Sequence, residues 1–504
     1  MGHSQGTDPS HIIIVNYNMN KLLFTHSYFL RFDPKQWAIG QPFAPLGTLQ
    51  AAAVMRQAGY AVGLFDTMFA HGPDEILPIL EKERPDVVVL YDDGFNYLTK
   101  MCLTNMREAA FAMIAHAKQR GALVMVSSSD STDRYEKYLS AGADYILLGE
   151  AEMTLLELLQ AINDDTTDIM SINGLAYLQQ GAVIKTAARA VMKDLDALPF
   201  PAWDLANMEP YRNMWIKSVG YFSMNMGTTR GCPFKCNWCA KPIYGNRYNS
   251  RSPQHVVNEL LMLKEKYRFD HIWFCDDIFG LKPGWVKEFA ALVQAAGLHF
   301  HFKIQSRVDL LLQEDNIRHL AVAGCSNVWM GAESGSQKIL DAMDKGTTIA
   351  QIYEATALLK KNGIHPSFFI QFGYPGETKE DIRNTVKMIN TLLPYEIGIS
   401  VSYPLPGTVF FERVKNELKE KTNWTDSDEL ALMFRNTYQP GFYKQLHRYV
   451  HKSYRSHLAA ATIKQLLGKP LQANMQKVKK AISWLYYAPA TVLAKLKLNQ
   501  LEKS

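Results

Sequence analysis

Between His11 and Ile162 the chain alternates short apolar runs with stretches in which apolar positions recur every three or four residues. The runs "HIIIVNY", "YAVGLFD", "DVVVLYD", "ALVMVSS" and "ADYILLGE" are brief and rich in β-branched residues, the signature of parallel strands buried on both faces. Helical patterns such as "LGTLQAAAVMRQAG" separate them, with Gly59 and Gly121 placed to stop a helix just before the next strand. The pattern predicts a doubly wound α/β domain over residues 1–162. In such a domain ligands sit at the carboxyl ends of the strands, here near Asn16, Asp66, Tyr91 to Asp93, Ser127 to Asp130, and Gly149-Glu150.

Residues 163–220 change character. "GLAYLQQGAVIKT" predicts a small hairpin turning at Gln179, Gln180 and Gly181, and "LDALPFPAWDL" is Pro-rich and extended. This segment is expected to connect two domains. From Tyr221 the alternation resumes with six strand candidates: "YFSMNMGTTR", "HIWFCDD", "HFHFKIQSR", "NVWMGAES", "PSFFIQFG" and "EIGISVSYP". Helical segments between them include Pro253 to Tyr267, Pro283 to Ala296 and Ile349 to Asn362. Six βα units predict a curved parallel sheet, a partial TIM-type (β/α)6 barrel over residues 221–415, whose carboxyl face carries the chemistry. Polar residues fall at those strand ends: Thr229-Arg230, Asp276-Asp277, Gln305 to Arg307, Glu333-Ser334 and Gln371. Residues 416–504 read as helical and basic.

Composition adds limits. At 504 residues the chain exceeds one ordinary core. Six cysteines without paired spacing do not form a secreted disulfide framework. The polar start "MGHSQGTDPS" lacks a signal-peptide core, and no window reaches the roughly 18 apolar residues of a membrane span. A reducing cytoplasm is the expected compartment. From Gly441 onward there are twelve Lys or Arg and one acid, Glu502. That segment therefore holds +11 against a net charge of +5 for the chain, and the remainder is acidic. Its Lys and Arg alternate with Tyr, Trp and Leu, which suits helices packed on the barrel with a solvated cationic face. The sharper alternative is peripheral attachment to an anionic membrane surface. No nucleic-acid module accompanies the charge.

Half of the cysteines crowd into "TTRGCPFKCNWCAK": Cys232, Cys236 and Cys239, at C-x3-C-x2-C spacing. A closed structural zinc site takes four ligands in two knuckles, and the nearest downstream histidine is His255. Iron–sulfur ligation by thiolates is the better match, and three protein ligands on a four-iron cluster leave one iron open to an outside molecule. The loop directly follows the first barrel strand. Cys102, Cys275 and Cys325 lie in helical or apolar settings and are expected to be small buried residues.

With Trp238 before the third cysteine in "CPFKCNWC", the loop resembles the signature of the radical S-adenosylmethionine (SAM) superfamily. The resemblance implies a 4Fe-4S cluster on Cys232, Cys236 and Cys239, whose unique iron holds SAM. It implies reductive cleavage of SAM to methionine and a 5′-deoxyadenosyl radical, with a reductant such as flavodoxin or ferredoxin as partner. "FCDDIF", "SRVD", "GAESGSQKIL", "KG", "FGYPGET" and "YPLPGT" follow in the order of the cobalamin-dependent (class B) subgroup, close to the magnesium-protoporphyrin monomethyl ester cyclase-like group. Carried across, Asp276 or Asp277 approaches the methionine amino group, Gln305, Ser306 and Arg307 reach the ribose or carboxylate, Glu333, Ser334 and Gln371 contact SAM, and the Trp238 backbone meets the adenine.

The first domain looks like that subgroup's cobalamin-binding Rossmann module through "PFAPLGTLQAAAVMRQAGYAVGLFD" and "ADYILLGEAEMTLLELL". The implied cobalamin residues are Asp66, Asp92, Ser127, Ser128, Ser129, Gly149 and Glu150. Three departures stand against it: there is no D-x-H-x-x-G, leaving His71 as an isolated candidate; Ser127-Ser128-Ser129-Asp130 replaces a Gly-Gly; and the third strand ends in "YDDGFNY". A domain kept for stability or substrate binding is the alternative. The expected activity is methyl transfer to, or oxidative cyclisation or rearrangement at, an unactivated carbon of a small and apolar substrate. Its rival from another class is a cobalamin or redox sensor with a structural cluster. A methylthiotransferase would need a second three-cysteine cluster, which the sequence does not supply.

Overall fold

The computed structural model describes residues 19–502 apart from 165–167, 240–242, 419–422, 428, 430–432, 435 and 469–473. Fifteen strands occur among them. β1 (Lys21–Thr25), β2 (Ala61–Phe65), β3 (Val87–Tyr91), β4 (Leu123–Ser127) and β5 (Tyr145–Leu147) form a parallel sheet in the order β2-β1-β3-β4-β5. The order reverses beside β1, which creates the crevice expected of a doubly wound sheet. The run "HIIIVNY" and Asn16 lie outside the described residues. The strand next to β2 and β3 is instead "KLLFT", whose few apolar residues sit between polar neighbours and carry little periodic signal. Apolar side chains cover both faces of the sheet: Val87, Val89 and Met125 pack with Leu155, Leu158 and Leu159 on one, and Val88, Leu90 and Val126 with Ala110, Met113 and Ile114 on the other.

The hairpin β6 (Leu175–Gln179) and β7 (Ala182–Lys185) turns at Gln180 and Gly181 and pairs antiparallel with β5. It extends the first sheet instead of standing apart in the connection. The physical reason is β5's outer edge, which would otherwise expose unpaired backbone groups.

β8 (Ser223–Met226) leads into a two-stranded ribbon, β9 (Thr229–Arg230) and β10 (Asn249–Ser250), which frames the cysteine loop. The remaining strands are β11 (His271–Phe274), β12 (His301–Ser306), β13 (Cys325–Glu333), β14 (His365–Phe372) and β15 (Ile397–Val401). With β8 they make a wholly parallel six-stranded sheet in sequential order, a half-barrel. The helices on its outer side have sequence-coded ends. Ser252 caps the helix Pro253–Tyr267, Thr348 closes a capping box on Ile349–Lys361, and Thr378 does so on Lys379–Leu392. One continuous apolar core runs from the half-barrel into both flanking regions. It takes in Leu46, Phe95 and Trp215 on one side and Phe442, Leu446 and Val450 of the long helix Pro440–Gly468 on the other.

A buried ion pair fastens the connecting segment to the barrel. Glu259 is fully enclosed; its Oε1 accepts the Trp203 indole N–H at 2.9 Å, and its Oε2 lies 2.6 Å from Arg251 Nη1, off the hydrogen-bond axis. Removing one partner of such a pair leaves an uncompensated charge. Arg251→Met is expected to cost about 3–5 kcal/mol, read as a lower denaturant midpoint, and adding Glu259→Gln is expected to restore most of it.

Glu377, in "FGYPGET", accepts the Gly373 N–H at 2.7 Å while its second oxygen is buried without a partner among the described residues. Burial, with Asp381 adding to it and the Gly373 bond opposing, raises its pKa to about 8. The fold therefore favours the protonated form, and the associated stability is complete below the ordinary value of 4.5 and is lost as pH rises through about 8. Glu377→Gln is expected to flatten melting temperature against pH over that window and to raise stability at pH 9. The ceiling is set by about 1.4 kcal/mol per pKa unit.

Candidate active site

The cysteine loop leaves the carboxyl end of β8 and is anchored at its start by Asp276. This carboxylate, which ends β11, accepts the backbone N–H of Thr228 (2.7 Å) and of Thr229 (2.8 Å) and the Thr228 hydroxyl. It is almost wholly buried, and burial raises its pKa to about 6 against the opposing pull of these bonds. Every lone pair that faces the loop start is thus in use, so Asp276 positions the loop. Its neighbour Asp277 stays partly open and pairs with Lys100 at 2.6 Å.

The loop's middle is pinned by Asn237, between the second and third cysteines. Asn237 donates to Ala342 O (2.8 Å) and Asp344 Oδ2 (2.7 Å), accepts the Tyr374 hydroxyl (2.8 Å), and exchanges backbone bonds with Met343 and Phe410. Cys232, Cys236 and Cys239 flank these anchors, are half-buried, and are in no disulfide. Among the described residues no three His, Cys, Asp or Glu side chains converge on a single ion. A cluster in which each thiolate binds a different iron asks for less convergence than one ion does.

Cations surround the loop. Arg307 lies 3.8 Å from Cys236 Sγ, stacks 3.7 Å over the Phe234 ring, and is held by Asp309 (3.0 Å) and the Lys345 carbonyl (2.9 Å). Lys345 forms a buried pair with Glu333 at 2.8 Å and lies 5.9 Å from the Trp238 ring. Burial works to lower the Lys345 pKa, but Glu333 and Cys236 outweigh it and hold the ammonium above its ordinary value. Lys100 follows the same logic, with Asp277 and Cys239 overcoming burial. Trp238 Nε1 is a buried donor with no partner among the described residues.

β13 is shaped around the Glu333–Lys345 pair. Its register slips between Gly331 and Glu333, and Glu333 takes a left-handed backbone at φ 54°, a conformation that costs a non-glycine residue energy. A side chain at Gly331 would begin 2.4 Å from Lys345 Nζ and 2.6 Å from Glu333 Oε1. Glycine there makes room for the ion pair. Ser334 turns away, its hydroxyl taken by Thr385 (3.1 Å) and Ser336 N (3.2 Å). Gln371 donates to Ser402 (2.9 Å) beneath the site, Ser306 is buried, and the Gln305 carbonyl accepts Phe279 N (3.0 Å).

The carboxyl edge of the first sheet faces this loop. Arg230 is clamped between Glu150 and Glu152, the latter at 2.7 Å, and lies 5.3 Å from the buried Tyr244 ring. Phe95 packs on Gly227, where a side chain would begin 2.8 Å from the ring. Asp66 is taken by His26 (2.9 Å) and Tyr211 (2.7 Å). Asp92 accepts from Ser27 N (2.7 Å) and Oγ (2.8 Å), and burial raises its pKa to about 6. Ser128 forms a capping box with Ser131, the Ser127 carbonyl accepts Asp92 N (2.8 Å), and Gly149 N donates to Thr132 (3.3 Å). Ser129 keeps a buried hydroxyl without a partner among the described residues. His71 is exposed, and the histidine of this network is His26, just after β1. Cys102, Cys275 and Cys325 are buried, and burial pushes each thiol's pKa up.

Sequence reasoning passed over Lys100, Asn237 and Glu152. The Lys345 position did carry a signal, the "KG" that follows "GAESGSQKIL". Nothing in the spacing of Lys100 or Glu152 points across to the barrel, because their partners come from another sheet.

Residues 226–389 match the radical SAM superfamily. Over most of its length the chain is 28% identical to an uncharacterized methyltransferase of Pyrococcus horikoshii, covering 77% of this chain and 82% of that protein. It is 27% identical to the anaerobic magnesium-protoporphyrin IX monomethyl ester cyclase of Cereibacter sphaeroides over 55% of this chain, which spans 45% of the cyclase. Its fold matches that of OxsB, a cobalamin-dependent S-adenosylmethionine radical enzyme solved with aqua-cobalamin, at a TM-score of 0.72 and 16% identity, covering 95% of this chain and 72% of OxsB. The cysteine loop and most of the half-barrel that carries it fall inside the matched stretch, so residues 226–389 of this chain are a radical SAM domain.

Proposed function

We propose that Cys232, Cys236 and Cys239 hold a 4Fe-4S cluster and that SAM binds over the loop, so that the enzyme methylates or cyclises a small, apolar substrate at an unactivated carbon. The observation that carries this reading is the loop itself: three half-buried cysteines, fixed by Asp276 and Asn237 and ringed by Arg307, Lys345 and Lys100. The cluster with SAM supplies reductive generation of a 5′-deoxyadenosyl radical, the electron arriving from flavodoxin or ferredoxin. This chain's residues supply position and charge. Arg307 and Lys345 present cations toward the carboxylate of SAM, Asp277 presents an anion toward its ammonium, and Trp238 Nε1 offers an unpartnered donor. Glu333, Gln305, Ser306 and Gln371 line the strand ends below, and the first domain closes the mouth against water.

Methyl transfer is favoured over cyclisation, because a relative matched at 28% identity over 77% of this chain and 82% of its own carries a methyltransferase name, whereas the cyclase relatives match over about half to two thirds of this chain. Cobalamin is part of the reading. Ser129's hydroxyl, without a partner among the described residues, and the left-handed backbone at Gly149 suit a nucleotide tail. The space between the two carboxyl edges is taken by Phe95 and the Arg230 clamp, which must move aside for a corrin ring.

Reconstituted anaerobically, the protein is expected to show cubane absorbance and to release 5′-deoxyadenosine from SAM on reduction. The Cys232→Ala/Cys236→Ala/Cys239→Ala protein is expected to do neither; 5′-deoxyadenosine above the enzyme-free control from that variant would overturn the assignment. Protein produced anaerobically with cobalamin supplied is expected to retain about one cobalt per chain by elemental analysis, the stoichiometry of one nucleotide site in a doubly wound domain. Cobalt at background would remove cobalamin from the reading and leave the cluster untouched.

A further inference from the structure

The last two helices, Met475–Ile482 and Trp484–Leu501, concentrate exposed apolar side chains in a short stretch of the chain. Among the described residues, ten of the twenty-one large apolar side chains that face solvent lie between Leu467 and Leu496. Large exposed apolar patches mark binding surfaces. In the first helix Met475, Val478 and Ile482 stand three and four residues apart on one face, all exposed. The second helix packs its inner face on the long helix Pro440–Gly468: Ala494 and Leu498 are buried, and the Ala494 carbonyl accepts Gln445 Nε2 at 3.0 Å. Its outer face is apolar too, with Leu485, Val492, Leu493 and Leu496 between 56% and 70% exposed. A helix apolar all round is normally enclosed; here half of it has no cover.

The charge around this face has one sign. No Asp or Glu occurs from Gly441 to Leu501, and Lys477, Lys479, Lys480, Lys495 and Lys497 border the apolar residues. Trp484 and Tyr486, amphipathic rings suited to a water–hydrocarbon boundary, stand exposed where the two helices meet. Neither helix is long and apolar enough to cross a membrane. A second copy of the chain docked symmetrically on this face would bring the same lysines together without an acid to neutralise them. A nucleic acid would satisfy the lysines but not the leucines. We propose that this helical pair seats on the surface of an anionic lipid bilayer, its leucines and Trp484 in the acyl boundary and its lysines at the headgroups. The proposal is independent of the reaction the enzyme catalyses.

The test is flotation of the full-length protein with phosphatidylglycerol–phosphatidylcholine vesicles. Co-flotation is expected at low salt, at least about tenfold weaker on pure phosphatidylcholine and in roughly 0.5 M salt, where screening shortens the reach of charge to a few ångströms. Leu485→Ser/Leu493→Ser/Leu496→Ser is expected to abolish co-flotation with an unchanged melting temperature, and Lys479→Gln/Lys480→Gln to weaken it. Recovery of the unmodified protein in the bottom fraction at low salt would overturn the proposal. So would vesicle binding that survives the triple serine change, a dimer dispersed by that change in protein that does not float, or duplex DNA binding that outcompetes the vesicles.

Discussion

A buried carboxylate decides where the reactive loop begins. Asp276 sits at the end of the second barrel strand and receives two consecutive backbone N–H groups and one hydroxyl from the segment that follows the first. Burying a carboxylate is costly, and the raised pKa of about 6 records that cost. The cost is tolerated because three donors, fixed by the parallel pairing of β8 and β11, meet the charge together. Without that meeting the chain after Met226 has no reason to turn into the ribbon and the cysteine loop would have no fixed origin. Asn237 repeats the device farther along, tying the loop to the segment after β13 and to Tyr374 after β14.

Around this frame the cationic groups form a graded set. Three of those near the loop are paired with a carboxylate: Arg307 with Asp309, Lys345 with Glu333, Lys100 with Asp277. Pairing lets the Lys345 and Lys100 ammonium groups remain charged although burial disfavours it. The site therefore holds its positive charge in place before any anionic partner arrives, and such preorganisation is the usual source of electrostatic effect in enzymes. The strained backbone at Glu333 and the absent side chain at Gly331 are both consequences of fitting one of these pairs into a strand end.

The first domain meets the barrel through charge as well. Arg230, the residue after the anchored Thr229, is enclosed with Glu150 and Glu152, and burial together with the neighbouring Glu152 raises the Glu150 pKa while Arg230 opposes it. Two acids share one buried guanidinium. It couples the carboxyl edges of the two sheets directly, where doubly wound domains bind ligands.

The sequence alone determined the strand and helix alternation, the two parallel sheets and the cysteine spacing. Those depend on local periodicity and on residue chemistry within a few positions, as in the helix Pro253–Tyr267, whose Ser-Pro start and apolar face are written consecutively. It did not mark "KLLFT" as a strand, since three apolar residues between polar neighbours carry too little pattern, and it did not show that the hairpin after residue 174 would complete the β5 edge. Only the tertiary structure separated Asp276 from Asp277, turning one inward to order the loop and leaving the other for Lys100, and only it brought Lys100 and Glu152 to the barrel. The reason is distance along the chain: contacts such as Lys100 with Asp277 or Glu152 with Arg230 join residues 177 and 78 positions apart. No local pattern encodes a partner that only the packing of two sheets can supply.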